Sequence, residues 1–173
     1  MQKVGFIGAG DISLLHAEGV KAAQGAELIG LWNRTRSRAE EKGALFGCKV
    51  FDTPEELIDA VDVVYVLTNM ETHYEYSMMA IESGKHVLVE KPTAVTIGEI
   101  LEMKDAATAK DVKIAPVHNY IYEPGVMRAK DLIESGKLGD LVAVYVLYNI
   151  HHPEEVASRY PGVIRQILTH HAY

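Results

Sequence analysis

Cysteine is nearly absent: Cys48 stands alone in 173 residues. A single thiol excludes a disulfide framework within the chain, suits a reducing compartment, and by default behaves as a small buried hydrophobe. Cations are also scarce, 17 Lys and Arg against 24 Asp and Glu for a net charge of -7, and no clustered basic face stands out. Nucleic acid is therefore not an expected partner, because phosphate binding draws on such clusters. No hydrophobic run approaches a membrane span, and the apolar stretch after Lys3 is too short for a signal sequence and is broken by Asp11. A cytoplasmic protein with no membrane partner is the expectation. Low-complexity segments are missing too, while 48% of the residues are hydrophobic. That composition makes a folded globular protein, long enough for one solid domain or for one domain and part of another.

What is present begins at residues 4–13, VGFIGAGDIS. Four apolar, β-branch-rich residues lead into a glycine turn, which reads as strand, tight turn, helix. In that geometry Gly8 permits the turn, and Gly10 removes a side chain where a pyrophosphate approaches the backbone. The N–H groups at the head of the next helix, from Asp11 and Ile12 onward, aim at the phosphates. Ser13 holds the third fingerprint position, small enough for close packing of helix on strand. The same turn also occurs in α/β proteins that bind no dinucleotide, so later segments have to decide.

A helix is expected over 12–24, ended by Gly25, and a strand over 27–32. At the end of that strand, where NAD-binding folds place an acidic residue roughly 20 positions past the turn, stands Asn33. A neutral residue followed by Arg34, Arg36 and Arg38 tolerates or attracts a 2′-phosphate, which leans the cofactor toward NADP; the same arginines also suit a solvated helix start. Four later helices are announced by a Ser or Thr with Glu three residues on: Ser37 with Glu40, Thr53 with Glu56, Thr72 with Glu75, Thr96 with Glu99. Between them lie β-like runs at 49–51, 61–67, 86–89 and 113–117. The alternation from residue 3 to about 117 predicts an α/β fold, a doubly wound parallel Rossmann sheet with ligands beyond the carboxyl ends of its strands.

After residue 118 the rhythm changes. A helix is expected over 124–135, then a glycine turn at 136–139, then a strand over 141–150 with both faces apolar. Such a strand belongs inside a sheet covered on both sides. The chain has too few later residues to build that sheet, so either another chain covers it or the sequence has been cut short.

Chemistry concentrates at 83–93, SGKHVLVEKPT. A strand ends in Glu90, Lys91 and Pro92, where an X–Pro bond can be cis and fix the direction of the Lys91 side chain. A lysine fixed beside a nicotinamide can hydrogen-bond a substrate hydroxyl and favour its deprotonation; a surface lysine in a turn is the alternative.

The set Gly8-Ala9-Gly10, Glu90-Lys91-Pro92 after SGKHVLV, His118-Asn119-Tyr120 with Pro124, and Gly136-Lys137-Leu138-Gly139-Asp140 resembles the Gfo/Idh/MocA oxidoreductases, in the right order along essentially the whole chain. The resemblance implies a Rossmann domain over 1–118 that binds NAD or NADP. It further implies the start of an α/β substrate and oligomerisation domain over 119–173, incomplete because family members run longer. A sugar, polyol or similar small molecule is the implied substrate, and a homo-oligomer is expected if the second domain is complete. The family's catalytic Lys falls on Lys91 and its His on His170, while its Asp falls on Gln166. A Gln orients by hydrogen bonding but carries no charge, so turnover should be slower or differently arranged. Without that match, a His on a helix is more often a packed or solvated residue than a base, and His170 would read as one.

The resemblance also places Thr68, Asn69 and His73 on the nicotinamide side of the cleft, and Asn119 and Tyr120 facing substrate. His73 can also serve a helix start, and Tyr120 can be interface packing. The doublets His151-His152 and His170-His171 do not set two ligands on one face, so no metal is expected. The leading expectation is an NAD(P)-dependent dehydrogenase or reductase acting on CH–OH groups. The alternatives are a non-catalytic NAD(P)-binding sensor or regulatory protein, which Gln166 favours, and a fragment competent only for cofactor binding.

Overall fold

The computed structural model describes residues 1–148. The chain opens with β1 (Gln2–Ile7), α1 (Ile12–Ala22), β2 (Ala26–Trp32), α2 (Arg36–Phe46), β3 (Lys49–Val50) and α3 (Pro54–Ala60). It continues through β4 (Val63–Val66), α4 (His73–Glu82), β5 (His86–Val89), α5 (Ile97–Ala109), β6 (Ile114–Pro116) and α6 (Pro124–Glu134). The six strands form one sheet in the order β3-β2-β1-β4-β5-β6, with every neighbouring pair parallel. Chain order reverses between β1 and β4, which makes their carboxyl ends the switch point of the sheet.

Alternation along the strands feeds two cores. Val4, Phe6 and Leu31 are buried on one face with Val20 and Ala39 from the first two helices. Ile7, Val64, Val66, Val87 and Val89 are buried with Leu57, Ile58, Ile81 and Met103 from the later helices. Burial of both faces is what a parallel sheet clothed in helices demands, and it explains why β4 and β5 are nearly all apolar. The chain divides into two compact units, the first Met1–Val117 and the second beginning at His118. None of the described helices is long and apolar enough to cross a membrane.

Most expected elements recur with shorter ends. Helix α1 stops at Ala22 rather than 24, because Ala23 turns extended and its N–H closes onto the Gly19 and Val20 carbonyls. Strand β4 covers only 63–66 of the expected 61–67. Two of the four predicted helix caps differ. Thr53 accepts from the Glu56 N–H, and Thr96 with Glu99 forms a complete capping box. Helix α2, however, begins at Arg36, ahead of Ser37, and Glu40 is bonded to Arg36 instead. Thr72 spends its hydroxyl on the Thr68 hydroxyl and the Asn69 carbonyl within a 3-10 turn, Met70–Thr72, that runs straight into α4.

The largest departure is the strand expected over 141–150. Residues 141–148 form no strand, and Val142, Tyr145 and Leu147 are exposed. A strand exists only where a neighbour takes its N–H and C=O groups, and no described strand pairs with this run. Residues 149 and 150 lie outside the described part.

Candidate functional site

The carboxyl ends of β1, β2 and β4 surround an open cleft of about 300 Å³. Its floor is the glycine turn, lined by Gly8, Ala9 and Gly10; one wall is Trp32 to Thr35 with Arg38; the other is Leu67 to Asn69 with Glu71, Thr72 and Tyr76. The geometry of the floor follows from two glycines with different tasks. Gly8 has φ +115°, and a Cβ there would lie 2.7 Å from the Leu67 backbone, so only glycine lets the turn approach the β4 loop. At Gly10 a Cβ would meet nothing within 4 Å, which leaves open space above the turn.

Ser13 is fully buried and its hydroxyl donates to the Gly10 carbonyl at 2.6 Å, so the third fingerprint residue ties the helix back to the turn. The Ser13 and Leu14 amides also fold back, onto the Gly10 and Asp11 carbonyls. The first amides of a helix have no partner within it, and those of Asp11 and Ile12 have none among the described residues. Those two donors, the positive end of the α1 dipole and the open space at Gly10 fit a pyrophosphate.

Asn33 does more than its position in the motif suggested. Its Oδ1 accepts from the Ala9 N–H at 3.1 Å and its Nδ2 donates to the Thr35 carbonyl at 3.0 Å, so it braces the turn across the strand ends. Arg34 and Arg38 are exposed and line the cleft. Arg36 does not: it is spent on Glu40 at 2.9 Å and on the Asp52 carboxylate, and these bonds, Glu40's first, hold its guanidinium above its ordinary value.

On the opposite wall Thr68 and Asn69 line the cleft, and His73 is not among its lining residues. The His73 ring is 1% exposed and sits behind the wall, with Nδ1 2.7 Å from the Pro92 carbonyl and Nε2 3.0 Å from the Thr68 carbonyl. Carbonyls only accept; a neutral ring has one N–H and donates to one of them at a time, a doubly protonated ring to both. His73 therefore lies between two loops, behind the residues that line the cleft.

Glu90 and Lys91 follow β5, the next strand over, and the Lys91–Pro92 bond is cis. Glu90 is 8% exposed. One carboxylate oxygen accepts from the Lys91 N–H at 2.9 Å, and the other lies 2.8 Å from Nε2 of His16 on α1. The Glu90 side chain is thus occupied within the protein. Sequence reading passed over His16, Trp32 and Tyr76. The aromatic pair packs edge to face at 5.6 Å, and burial, first, pushes the Tyr76 phenol up. His16 carried a usable signal, since it stands one helical turn past Ile12 at the head of the same helix.

Asn119 and Tyr120 belong to the second unit, on a 3-10 turn, Asn119–Tyr122. Asn119 is exposed, and the Tyr120 hydroxyl lies 3.4 Å from that of Tyr148. Gln166, His170 and the histidine doublets lie outside the described residues. Among the described residues no three His, Cys, Asp or Glu side chains gather as metal ligands.

Known proteins resemble this chain in sequence and in fold. Glucose-6-phosphate 3-dehydrogenase of Bacillus subtilis (strain 168) is 36% identical over 146 residues, 84% of this chain and 42% of that protein. The scyllo-inositol 2-dehydrogenase (NADP(+)) IolW of the same organism is 36% identical over 121 residues, 68% of this chain and 34% of that protein. The crystal structure of an NAD binding oxidoreductase from Klebsiella pneumoniae superposes with a TM-score of 0.75 at 32% identity, over 80% of this chain and 40% of that one. The chain thus spans about two fifths or less of the length of these relatives. Residues 2–118 match the family described as oxidoreductase, NAD-binding Rossmann fold. By that match, the chain belongs to the Gfo/Idh/MocA oxidoreductases.

Proposed function

We propose that the cleft at the β1/β4 switch point binds NAD or NADP, and that the protein to which this chain belongs moves a hydride between that cofactor and a CH–OH or carbonyl carbon of a sugar, polyol or similar small molecule. The observation that carries the reading is the floor of the cleft: two helix-head amides with no partner among the described residues, beside open space at Gly10, facing Thr68 and Asn69 across the switch point. The relatives named as sugar-phosphate and inositol dehydrogenases support the substrate class.

When bound, the nicotinamide supplies or accepts the hydride. Gly8, Gly10 and the amides of Asp11 and Ile12 hold the pyrophosphate. Asn33 keeps the turn in shape while Arg34 and Arg38 face the ribose end, and these two cations favour a 2′-phosphate, hence NADP. Lys91 donates a hydrogen bond to the substrate oxygen and stabilises it as the proton leaves. In oxidation His170 would take the hydroxyl proton as the hydride leaves carbon for the nicotinamide, and Gln166, where the family has an Asp, would offer hydrogen bonding without charge. Asn119 and Tyr120 contribute to the substrate side.

Titration with NADH and NADPH, read by nicotinamide fluorescence and by thermal stability, tests this directly. A ligand that binds only the folded state, at a hundredfold excess over Kd, adds about 2.7 kcal/mol to stability. Gly10→Val is expected to fold, since a Cβ there meets nothing within 4 Å, and to lose dinucleotide binding. Arg34→Ala combined with Arg38→Ala is expected to weaken NADPH and leave NADH unchanged. Failure of both nucleotides to bind, or unchanged affinity in Gly10→Val, overturns the assignment.

A further inference from the structure

The three residues Glu90, Lys91 and Pro92 are gripped from both sides by histidines of other elements, half-buried His16 and buried His73. On one side the His16 ring is wedged edge-on against Phe6 of β1 at 6.4 Å and Tyr65 of β4 at 5.7 Å, which fixes its plane. Its Nε2 then meets Glu90, and the far oxygen of the same carboxylate takes the Lys91 N–H. On the other side His73 at the head of α4 sits between the Pro92 carbonyl, 2.7 Å from Nδ1, and the Thr68 carbonyl on the cleft wall, 3.0 Å from Nε2, and its N–H serves one of the two. The backbone before the segment is also pinned, because the Glu90 N–H donates to the Val66 carbonyl at 3.0 Å.

Each contact could be dismissed as ordinary core satisfaction, since buried polar groups are bonded almost everywhere. Their convergence argues otherwise. Two histidines, one from the helix that opens the cleft floor and one from behind its wall, each set one ring nitrogen against a residue immediately before or after a single lysine. A carboxylate nine-tenths removed from solvent is a costly way to satisfy one backbone N–H. It is a sensible way to hold that N–H, and the side chain beside it, at a set place relative to α1.

We propose that His16, acting through Glu90, and His73, acting through the Pro92 carbonyl, are positioning residues that clamp Lys91 in register with the dinucleotide cleft. The clamp deepens the proposed function, since it presumes that Lys91 polarises the substrate oxygen. It adds that the lysine is placed from the floor and from the wall of the cofactor site, so that both elements contacting a bound dinucleotide also set the lysine. Glu90 then has no direct cofactor contact; its role is the linkage.

The test uses the full chain with His16→Leu, His16→Gln, His73→Leu and Glu90→Gln. Three quantities are measured: amide hydrogen exchange at Lys91, acetic anhydride acylation of the Lys91 amine relative to the exposed Lys110, and NADH affinity. His16→Leu is expected to speed exchange at the Lys91 amide about tenfold, the order of one lost hydrogen bond to a charged acceptor, and to change the Lys91-to-Lys110 acylation ratio. His16→Gln retains an N–H donor and is expected to restore both readings toward wild type. His73→Leu is expected to shift the acylation ratio as well. A purely structural role predicts a lower melting temperature with Lys91 exchange and acylation unchanged, and that result overturns the proposal. If a Leu variant fails to fold, Glu90→Gln decides: faster Lys91 exchange supports the clamp, unchanged exchange refutes it. NADH affinity separates the two proposals, because a wild-type protein that binds no dinucleotide removes the proposed function while the Lys91 readings still decide the clamp.

Discussion

Phe6 and Leu147 are both large apolar residues in runs of apolar neighbours, yet Phe6 is fully buried and Leu147 is 93% exposed. The difference is in what surrounds them. Phe6 lies on β1, paired with Leu31 of β2 on one side and Tyr65 of β4 on the other, and its ring stacks on Tyr65 at 5.3 Å. Leu147 lies in a run that pairs with no described strand. Hydrophobic pattern states which residues can be buried; only a partner for the backbone and a surface for the side chain bury them. The first unit carries its partners within itself, β2 and β5 pairing in parallel on either side of β1 and β4, and everything that positions the candidate site depends on that closure.

The most severe way to break the contrast is to spoil the closure at its tightest point. Gly8→Val puts a branched side chain at φ +115°, 2.7 Å from the Leu67 backbone. Strain from the left-handed backbone and overpacking together are expected to cost on the order of 3 kcal/mol or more, measured by urea denaturation. Gly10→Val, two residues on, is expected to leave stability nearly unchanged, so the pair separates a glycine needed for folding from one needed for a ligand. Equal losses in the two variants would show that the cleft floor is not organised as described.

A smaller effect sharpens the comparison at the level of local signals. Thr96 and Thr72 are each followed by Glu three residues on, and only Thr96 forms the capping box. Thr96→Ala is expected to cost about 1 kcal/mol. Ser37→Ala, at a site where the helix has already begun at Arg36, is expected to change stability by no more than a few tenths. A denaturation series that finds Ser37→Ala as costly as Thr96→Ala would return the start of α2 to the position the motif suggested.

How much of this was legible in the residues follows the same division. Strand, glycine turn and helix at 2–22 could be read because each residue's local preference agrees with its tertiary place, and so could β5 with the Glu90-Lys91-Pro92 turn. Asn33 was found as a cofactor-side residue, but its bonds to Ala9 and Thr35 depend on two strand ends lying side by side, which no spacing reveals. His73 was set on the nicotinamide side by the family resemblance alone; its ring turns inward to the Pro92 carbonyl, a contact 19 residues away that no local pattern announces. His16 and Glu90 are 74 residues apart, and no local pattern joins them. Local chemistry was readable; long-range hydrogen bonds between strand ends were not.

The smallest expected effect is also the one that bears most on the opening contrast. Leu147→Ser replaces a large apolar side chain with a small polar one at a position 93% exposed. A surface substitution away from caps, cores and networks stays within about 0.5 kcal/mol, so the denaturation midpoint of the full chain should not move measurably. The same exchange in a covered sheet would forfeit the burial of a leucine, roughly 2 to 3 kcal/mol from transfer alone. The two outcomes are far enough apart for one experiment to decide. An unchanged midpoint means that residues 141–148 carry a strand's sequence without a strand's partner in this chain, and that their apolar faces contribute nothing to its stability. A loss of about 2 kcal/mol means that the run is covered in solution, by a second copy or by the chain's own later residues, and the contrast with Phe6 then becomes one of partner identity. Repeating the measurement across protein concentrations distinguishes those two covers, since only an intermolecular one makes the midpoint rise with concentration.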